Sequence, residues 1–374
     1  NTLTEFIYHK FGKNLFKFIL ILTIFYMFIF LCAEVTAVSI LVNYISGTPL
    51  WLTAMLVIVV TLIYTLYGGL RASILTDNLQ FFIILILLFI SAYYLFSLNL
   101  NYISFETFQS KSGHLLSSKY IPNYTAGLTF FIAVSATNLF HQGNWQRVFA
   151  AKNDQVLKKS LLFSFIIIIP IVFFMGISGI IAISIDSKVN PDLAFFSILL
   201  KSETEFLSII VIILAISLTV STIDTLVNAI SSIVIVDGKK IYPTFNENNL
   251  LGASKFFMVI LSFISLIIAS KGYSVLYLFL LADLLCCAAV FTVFYGFYKK
   301  GFREKDAILS MLLGLFLGLL LFPSPDFSRS ILVGTLLPFD LFPQIVSTSL
   351  LFWSFLLATV VPAITIIIND SFKR

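Results

Sequence analysis

The chain has 374 residues, of which 59% are apolar and 11% charged, and its formal net charge is +5. A soluble domain carries about 25% charged residues, so this chain cannot cover a water-facing surface. A soluble enzyme, a disulfide-stapled scaffold and a nucleic-acid binder are all poor readings. The mean hydropathy of +1.04 comes from blocks about 20 residues long, the length that crosses a hydrocarbon core.

Ten such blocks follow one another at 14–43, 50–67, 73–98, 125–143, 157–184, 205–236, 251–270, 274–297, 306–322 and 346–368. In lipid the backbone must satisfy its own hydrogen bonds, so the pattern predicts an all-α membrane protein with about ten transmembrane helices. The breaks carry turn residues: Gly47-Thr48-Pro49, Gly68-Gly69, Lys271-Gly272 and Pro323-Ser324-Pro325. The stretch from Pro323 to Val346, with Pro338 and Pro343, reads either as a surface loop or as a short re-entrant piece. Cys32, Cys286 and Cys287 all lie inside apolar blocks and read as packing residues rather than bridges or metal ligands. The chain opens at Asn1 without a signal-peptide pattern and reads as part of a longer protein.

If residues 1–13 are cytoplasmic and sides alternate, 17 of the 23 Lys and Arg residues fall on the cytoplasmic side, the C-terminus included. That asymmetry is the positive-inside pattern of a multi-pass protein in the cell membrane. The net charge is thus a topology signal. The 41 phenylalanines suit lipid-facing positions and need no aromatic binding site.

Ionisable residues at mid-bilayer cost about 2.5–3.5 kcal/mol each on insertion scales, which makes them candidates for function. Four acids stand inside blocks: Glu34, Asp77, Asp224 and Asp283. No Lys or Arg lies deep in a block beside them, so the sequence predicts that cations arrive from outside, as Na⁺ or H⁺. In the sixth block Ser217, Ser221, Asp224, Thr225, Asn228 and Ser232 share one helical stripe. Hydroxyls can be mere glue between helices. Joined by a carboxylate and an amide, they offer the all-oxygen setting that a hard cation favours.

A second cluster, Thr76, Asp77, Asn78 and Gln80, follows the paired glycines. Asp77 alone would suit a helix N-terminus, which does not account for its polar neighbours. A third runs from Ala136 to Arg147 and contains Asn138, His141, Gln142, Gly143, Asn144 and Trp145. Secondary transporters expose backbone at such broken mid-membrane helices. The same run also reads as an ordinary helix end. Glu34 and Asp283 read as coupling groups or as neutral, hydrogen-bonded carboxyls. His9 and His114 fall in loops and His141 stands alone, so no catalytic constellation or transition-metal cluster is expected, and the chain reads as no enzyme.

At these residues the chain resembles the sodium:solute symporter family. Tyr67-Gly68-Gly69-Leu70-x-Ala72 with Thr76-Asp77-x-x-Gln80, Gln146-Arg147-x-x-Ala150-Ala151-Lys152, and Ser221-Thr222-x-Asp224-Thr225-x-x-Asn228 carry the likeness. Thr2-Leu3-Thr4-Glu5-Phe6 with Phe11-Gly12 is similar to a further family loop, with Thr4 in place of the usual proline. The resemblance implies a five-plus-five inverted-repeat fold like the leucine transporter's, here lacking the first two core helices. Residues 1–297 would be core helices three to ten and 298–374 peripheral helices, in a single transmembrane domain 1–374. It implies that the Leu218 carbonyl and the Ser221 and Thr222 hydroxyls form half of a sodium site. Asp77 would be the acid tied to a second cation position and Asn138 to Trp145 would line the solute pocket, while Asp224 joins the cation-binding set on the chemistry of its stripe. Thr76, Gln80, Asn228, Glu34 and Asp283 would be coupling or structural polar groups. The run His-Gln-Gly-x-Trp-Gln-Arg departs from the sugar-transporter form and is closer to that of the urea and small-solute branch. The expected function is sodium-coupled symport of a small organic solute by alternating access, with Na⁺, solute and lipid as partners and no organic cofactor. The alternative is a symporter-like sensor domain of a longer signalling protein.

Overall fold

The computed structural model describes residues 2–99, 105–202, 205–299, 303–333 and 343–371. Pro338 and three of the counted basic residues, Lys300, Lys373 and Arg374, lie outside them. Among the described residues every regular element is a helix, apart from one isolated bridge between Pro323 and Ser330. In chain order they are α1 (Leu3–Phe11), α2 (Lys13–Ser46), α3 (Leu50–Asn99), α4 (Phe105–Ser112), α5 (Ile121–Phe140), α6 (Gln142–Ala150) and α7 (Asp154–Ile185). There follow α8 (Ala194–Leu199), α9 (Glu205–Ile241), α10 (Glu247–Ala269), α11 (Val275–Tyr298), α12 (Glu304–Leu321), α13 (Gln344–Ser347) and α14 (Leu350–Ser371).

Seven helices among the described residues are long and apolar enough to cross a membrane: α2, α3, α7, α9, α10, α11 and α14. The expectation of ten separate spans is met only in part. The blocks 50–67 and 73–98 run together as α3, interrupted at Gly69. Its φ of 58° and ψ of −152° fall in a region that is essentially restricted to glycine. Helix α5 is diluted by Asn123, Thr125, Thr129, Ser135, Thr137 and Asn138, and α12 opens on Glu304, Lys305 and Asp306. Pro323 to Val333 forms a loop closed by the Ser324 hydroxyl and main chain, both of which donate to the Arg329 carbonyl.

The buried centre is made by α2, α9 and α11, with α1, α5 and α10 packed around it. Tyr26, Phe16, Phe140 and Phe355 are its largest enclosed side chains. Cys32, Cys286 and Cys287 are all free and buried there, as the sequence predicts. Helix α7 behaves differently. Ile166, Val172 and Phe173 are all exposed, as on a helix whose apolar surface faces lipid. Helices α12 and α14 pair closely where the Ser354 hydroxyl donates to the Gly318 carbonyl at 2.7 Å, a contact that small residues at a membrane interface permit.

Two elements position the candidate site. One is α9, whose buried face runs from Leu207 to Asp237 through the middle of the protein. The other is the break between α5 and α6. His141 ends one helix and begins the next with φ −69° and ψ 104°, extended backbone that stops the helical hydrogen-bond ladder. The Trp145 indole N–H donates to the Leu139 carbonyl at 2.8 Å, satisfying an acceptor that the break would orphan.

Candidate functional site

The polar stripe of α9 divides into three groups. At its centre the Asp224 carboxylate is fully buried. Oδ1 accepts from the Ser73 hydroxyl at 2.9 Å, and Oδ2 accepts from Tyr64 at 2.9 Å and from Thr76 at 3.2 Å. These three donors flank the Gly69 interruption of α3, so Asp224 ties both halves of that helix to α9. With a fourth bond from the Thr225 hydroxyl at 3.3 Å, it has the partners of a structural anchor.

Asp77 faces α9 one turn away. Its Oδ1 accepts from the Ser221 hydroxyl at 2.6 Å, and its Oδ2 is paired with Arg147 Nη2 at 2.5 Å. This corrects the expectation that no basic residue meets the membrane acids. Arg147 reads in the sequence as part of a loop entry, yet α6 folds back far enough to aim its guanidinium inward. Nη2 also donates to the Thr225 hydroxyl at 2.9 Å, and Nη1 to the Gly143 carbonyl at 3.2 Å. A methyl at Gly143 would lie 2.5 Å from Thr225 Cγ2, so the glycine is what lets α6 approach α9 this closely. Asp77 stands two turns past Gly69, beyond the reach of a helix N-terminus.

Ser221, Thr222 and the Leu218 carbonyl lie within one turn of α9. The Thr222 hydroxyl donates to the Leu218 carbonyl at 3.2 Å, and Leu218 is 38% exposed. Both hydroxyls donate their protons, so each keeps lone pairs that a cation can use. Farther along α9, Asn228 is buried and its side-chain NH₂ has no hydrogen-bond partner. With Gln146, Thr65, Ser231 and Ser232 it lines a cavity of about 200 Å³. The Oε1 atoms of Gln80 and Gln146 are buried and unpartnered as well.

The third expected cluster separates on folding. His141 packs edge-on to Tyr26 and Phe30 of α2, with ring centroids 6.3 and 6.5 Å away. Phe30 in turn meets Phe279 of α11 at 4.7 Å. The Tyr26 hydroxyl and His141 Nδ1 are buried without a hydrogen-bond partner. Asp283 of α11 accepts from Thr137 of α5 at 2.6 Å, and Glu34 lies on the Tyr26–Phe30 face of α2 by its four-residue spacing. His141, Tyr26, Phe30 and Phe279 form an aromatic cluster beside the helix break, the region proposed below as the solute chamber. Asn138 and Asn144 instead bond each other at 3.0 Å on an exposed surface, and Trp145 caps Leu139. Gln142 accepts from the main-chain N–H of Leu3 at 3.2 Å, a bond to α1 rather than to the chamber.

The Thr2-to-Phe6 motif is explained by a residue that sequence reasoning missed. Buried Asp237 of α9 accepts from the hydroxyls of Thr2 at 3.0 Å and Thr4 at 2.5 Å. Glu5 pairs with Lys240 at 3.0 Å. Tyr26, Phe30 and Phe279 were missed too, while Thr137, Tyr64 and Ser73 lay inside the polar segments without being singled out. Among 41 phenylalanines and 15 tyrosines no signal marked the aromatic ones, although the four-residue spacing of Tyr26, Phe30 and Glu34 was there to be read. Among the described residues no group of three or more His, Cys, Asp and Glu is placed to hold a metal ion.

A spermidine transporter of Candida albicans, DUR31, is 28% identical over 325 residues, which cover 84% of this chain and 60% of that protein. The chain thus spans less than two thirds of the length of this relative. The model of the sodium:solute symporter family matches residues 1–314. With its apolar helices and a match over most of its length, the chain belongs to the sodium:solute symporter family of multi-pass membrane transporters.

Proposed function

We propose that the protein is a sodium-coupled symporter of a small organic amine, working by alternating access. The observation that carries this reading is the cluster of oxygens on α9 and α3, Ser221, Thr222, the Leu218 carbonyl and Asp77, set across from the broken α5–α6 segment. Na⁺ at these oxygens orders the elements around the break, solute then enters the chamber, and the helices rock to open the other side. An amine suits a chamber that offers carboxylates and aromatic faces, since ammonium groups are attracted to both. Asp283 and Glu34 supply the carboxylates, and Tyr26, Phe30 and Phe279 the rings. The spermidine named for the Candida relative belongs to that chemical class. In this reading residues 2–13 and the C-terminus are cytoplasmic, residues 1–297 form the core, and no organic cofactor takes part. No observation favours the sensor alternative.

The test is uptake of radiolabelled spermidine into proteoliposomes with an inward Na⁺ gradient or an equal K⁺ gradient. Uptake stimulated by Na⁺ supports the reading. Equal uptake in both, or uptake driven by a proton gradient alone, overturns the coupling ion. Transport confined to neutral or anionic solutes overturns the amine.

A further inference from the structure

We infer that Arg147 is a resident counter-cation that competes with the coupling ion for Asp77, and that this competition links ion binding to the solute chamber. The inference rests on the sodium reading above and adds to it the residue that makes ion and solute interdependent.

The guanidinium occupies the cation position of this cluster. Its Nη2 is 2.5 Å from Asp77 Oδ2 and 2.9 Å from Thr225 Oγ1, while Asp77 Oδ1 holds the Ser221 hydroxyl at 2.6 Å. A single carboxylate balances one positive charge. A sodium ion drawn to Ser221 and Asp77 would sit a few ångströms from the guanidinium, and repulsion between like charges is strong where water is scarce. Occupation by Na⁺ therefore weakens the Arg147–Asp77 pair, and that pair opposes Na⁺.

What Arg147 is attached to gives the competition its consequence. It stands on α6, a helix of nine residues that begins at the His141 break. Through Asp77 and Thr225 it bonds α6 to both α3 and α9, and through Gly143 it bonds the first turn of α6 itself. From His141 to Arg147 the chain advances only about 9 Å, so exchange of Arg147 for Na⁺ at Asp77 resets the position of the residue that forms the chamber wall. By linkage, solute that favours the position α6 takes with Na⁺ bound raises affinity for Na⁺ by the same factor that Na⁺ raises affinity for solute.

The experiment measures the half-saturating Na⁺ concentration for spermidine uptake, and the binding of radioactive sodium without solute, in the full-length protein reconstituted in liposomes. Arg147→Gln removes the competitor. We expect its half-saturating Na⁺ concentration to fall by about tenfold or more, equivalent to roughly 1.4 kcal/mol, and sodium binding to lose its dependence on solute. Arg147→Lys, which keeps the charge, retains the solute dependence. Should Arg147→Gln fail to reach the membrane, Thr225→Val carries the test, since it removes one acceptor of the guanidinium and leaves Asp77 intact; a smaller fall is expected. A sodium requirement unchanged or raised in both variants overturns the competition while the wild type's Na⁺ dependence stands. A wild type indifferent to Na⁺ overturns the coupling reading itself, and the competition with it.

Discussion

The main-chain N–H of Leu3 donates to the side-chain oxygen of Gln142, 3.2 Å away, and so bonds the first turn of α1 to the first residue of α6. The helix break at His141 is therefore held on the α1 side as well as by Arg147. Thr2 and Thr4 anchor α1 to Asp237, and Lys240 takes Glu5. The short amphipathic α1 acts as a clip across the ends of α6 and α9.

Asp237→Ala should loosen this clip. It leaves the buried Thr2 and Thr4 hydroxyls without their acceptor, and each stranded polar group costs about 1–3 kcal/mol. We expect a lower melting temperature of the solubilised protein and faster protease cleavage within residues 3–11. Asp237→Asn keeps one acceptor oxygen and should fall between. A melting temperature unaffected by Asp237→Ala would show that α1 is held without the threonine–aspartate bonds.

The Glu5–Lys240 pair gives the clip a pH dependence. Partial burial works against the charge on Glu5, but the hydrogen bond and positive charge of Lys240 outweigh it and hold the carboxyl below its ordinary value. An acid whose pKa falls on folding stabilises the folded state above its unfolded pKa, about 4.3 for Glu. That contribution is lost as pH drops through the lowered value. Amide exchange in α1, corrected for its intrinsic pH dependence, should show protection that weakens below about pH 4. Glu5→Gln should flatten this profile. Loss of protection on raising the pH instead would have the wrong sign for this pair.

Asp224 is expected to behave as an anchor. Replacing it with alanine strands the Tyr64 and Ser73 hydroxyls, while Thr76 keeps the Ala72 and Ser73 carbonyls, and at about 1–3 kcal/mol for each group left unpaired the protein should be poorly recovered from membranes. Tyr64→Phe removes a single donor and should cost only about 1 kcal/mol, with the half-saturating Na⁺ concentration nearly unchanged. A large shift in sodium dependence in Tyr64→Phe would instead make Asp224 a direct ligand.

How far the site was legible depended on the distance between partners. The α9 stripe could be read because its residues recur at helical spacing within one block, and Ser221, Asp224 and Asn228 do face inward together. The break was also legible, as a polar run inside an apolar block. Its position within that run was not: the backbone leaves the helix at His141, and Gly143 serves as a point of close contact with α9. Arg147 and Asp77 are 70 residues apart, and nothing local in either segment announces the other. Asp237 was hidden by Lys239 and Lys240, which make it look like part of a charged helix end. The expected pocket residues divided because α6 turns its side chains in several directions, so adjacency in sequence did not become adjacency in the chamber.

The close contact at Gly143 yields a prediction that a compensating change can check. A β-carbon there would lie 2.5 Å from Thr225 Cγ2 and 2.9 Å from His141 Cε1. Thr225 has little freedom to turn away, since its hydroxyl donates to the Ser221 carbonyl at 2.9 Å and accepts from Arg147. Gly143→Ala must therefore push α6 off α9, a form of overpacking that costs about 1–3 kcal/mol. Displacing α6 also pulls Arg147 from Asp77 and shifts the His141 wall of the chamber. Uptake should drop severalfold while the protein still inserts in the membrane. Thr225→Ser deletes the offending methyl and keeps the hydroxyl. The double variant Gly143→Ala/Thr225→Ser should regain much of the lost uptake, a coupling that two neighbouring residues show and two independent ones do not. A double variant no better than Gly143→Ala alone would mean that the spacing of α6 and α9 is set elsewhere, with His141 the first residue to examine.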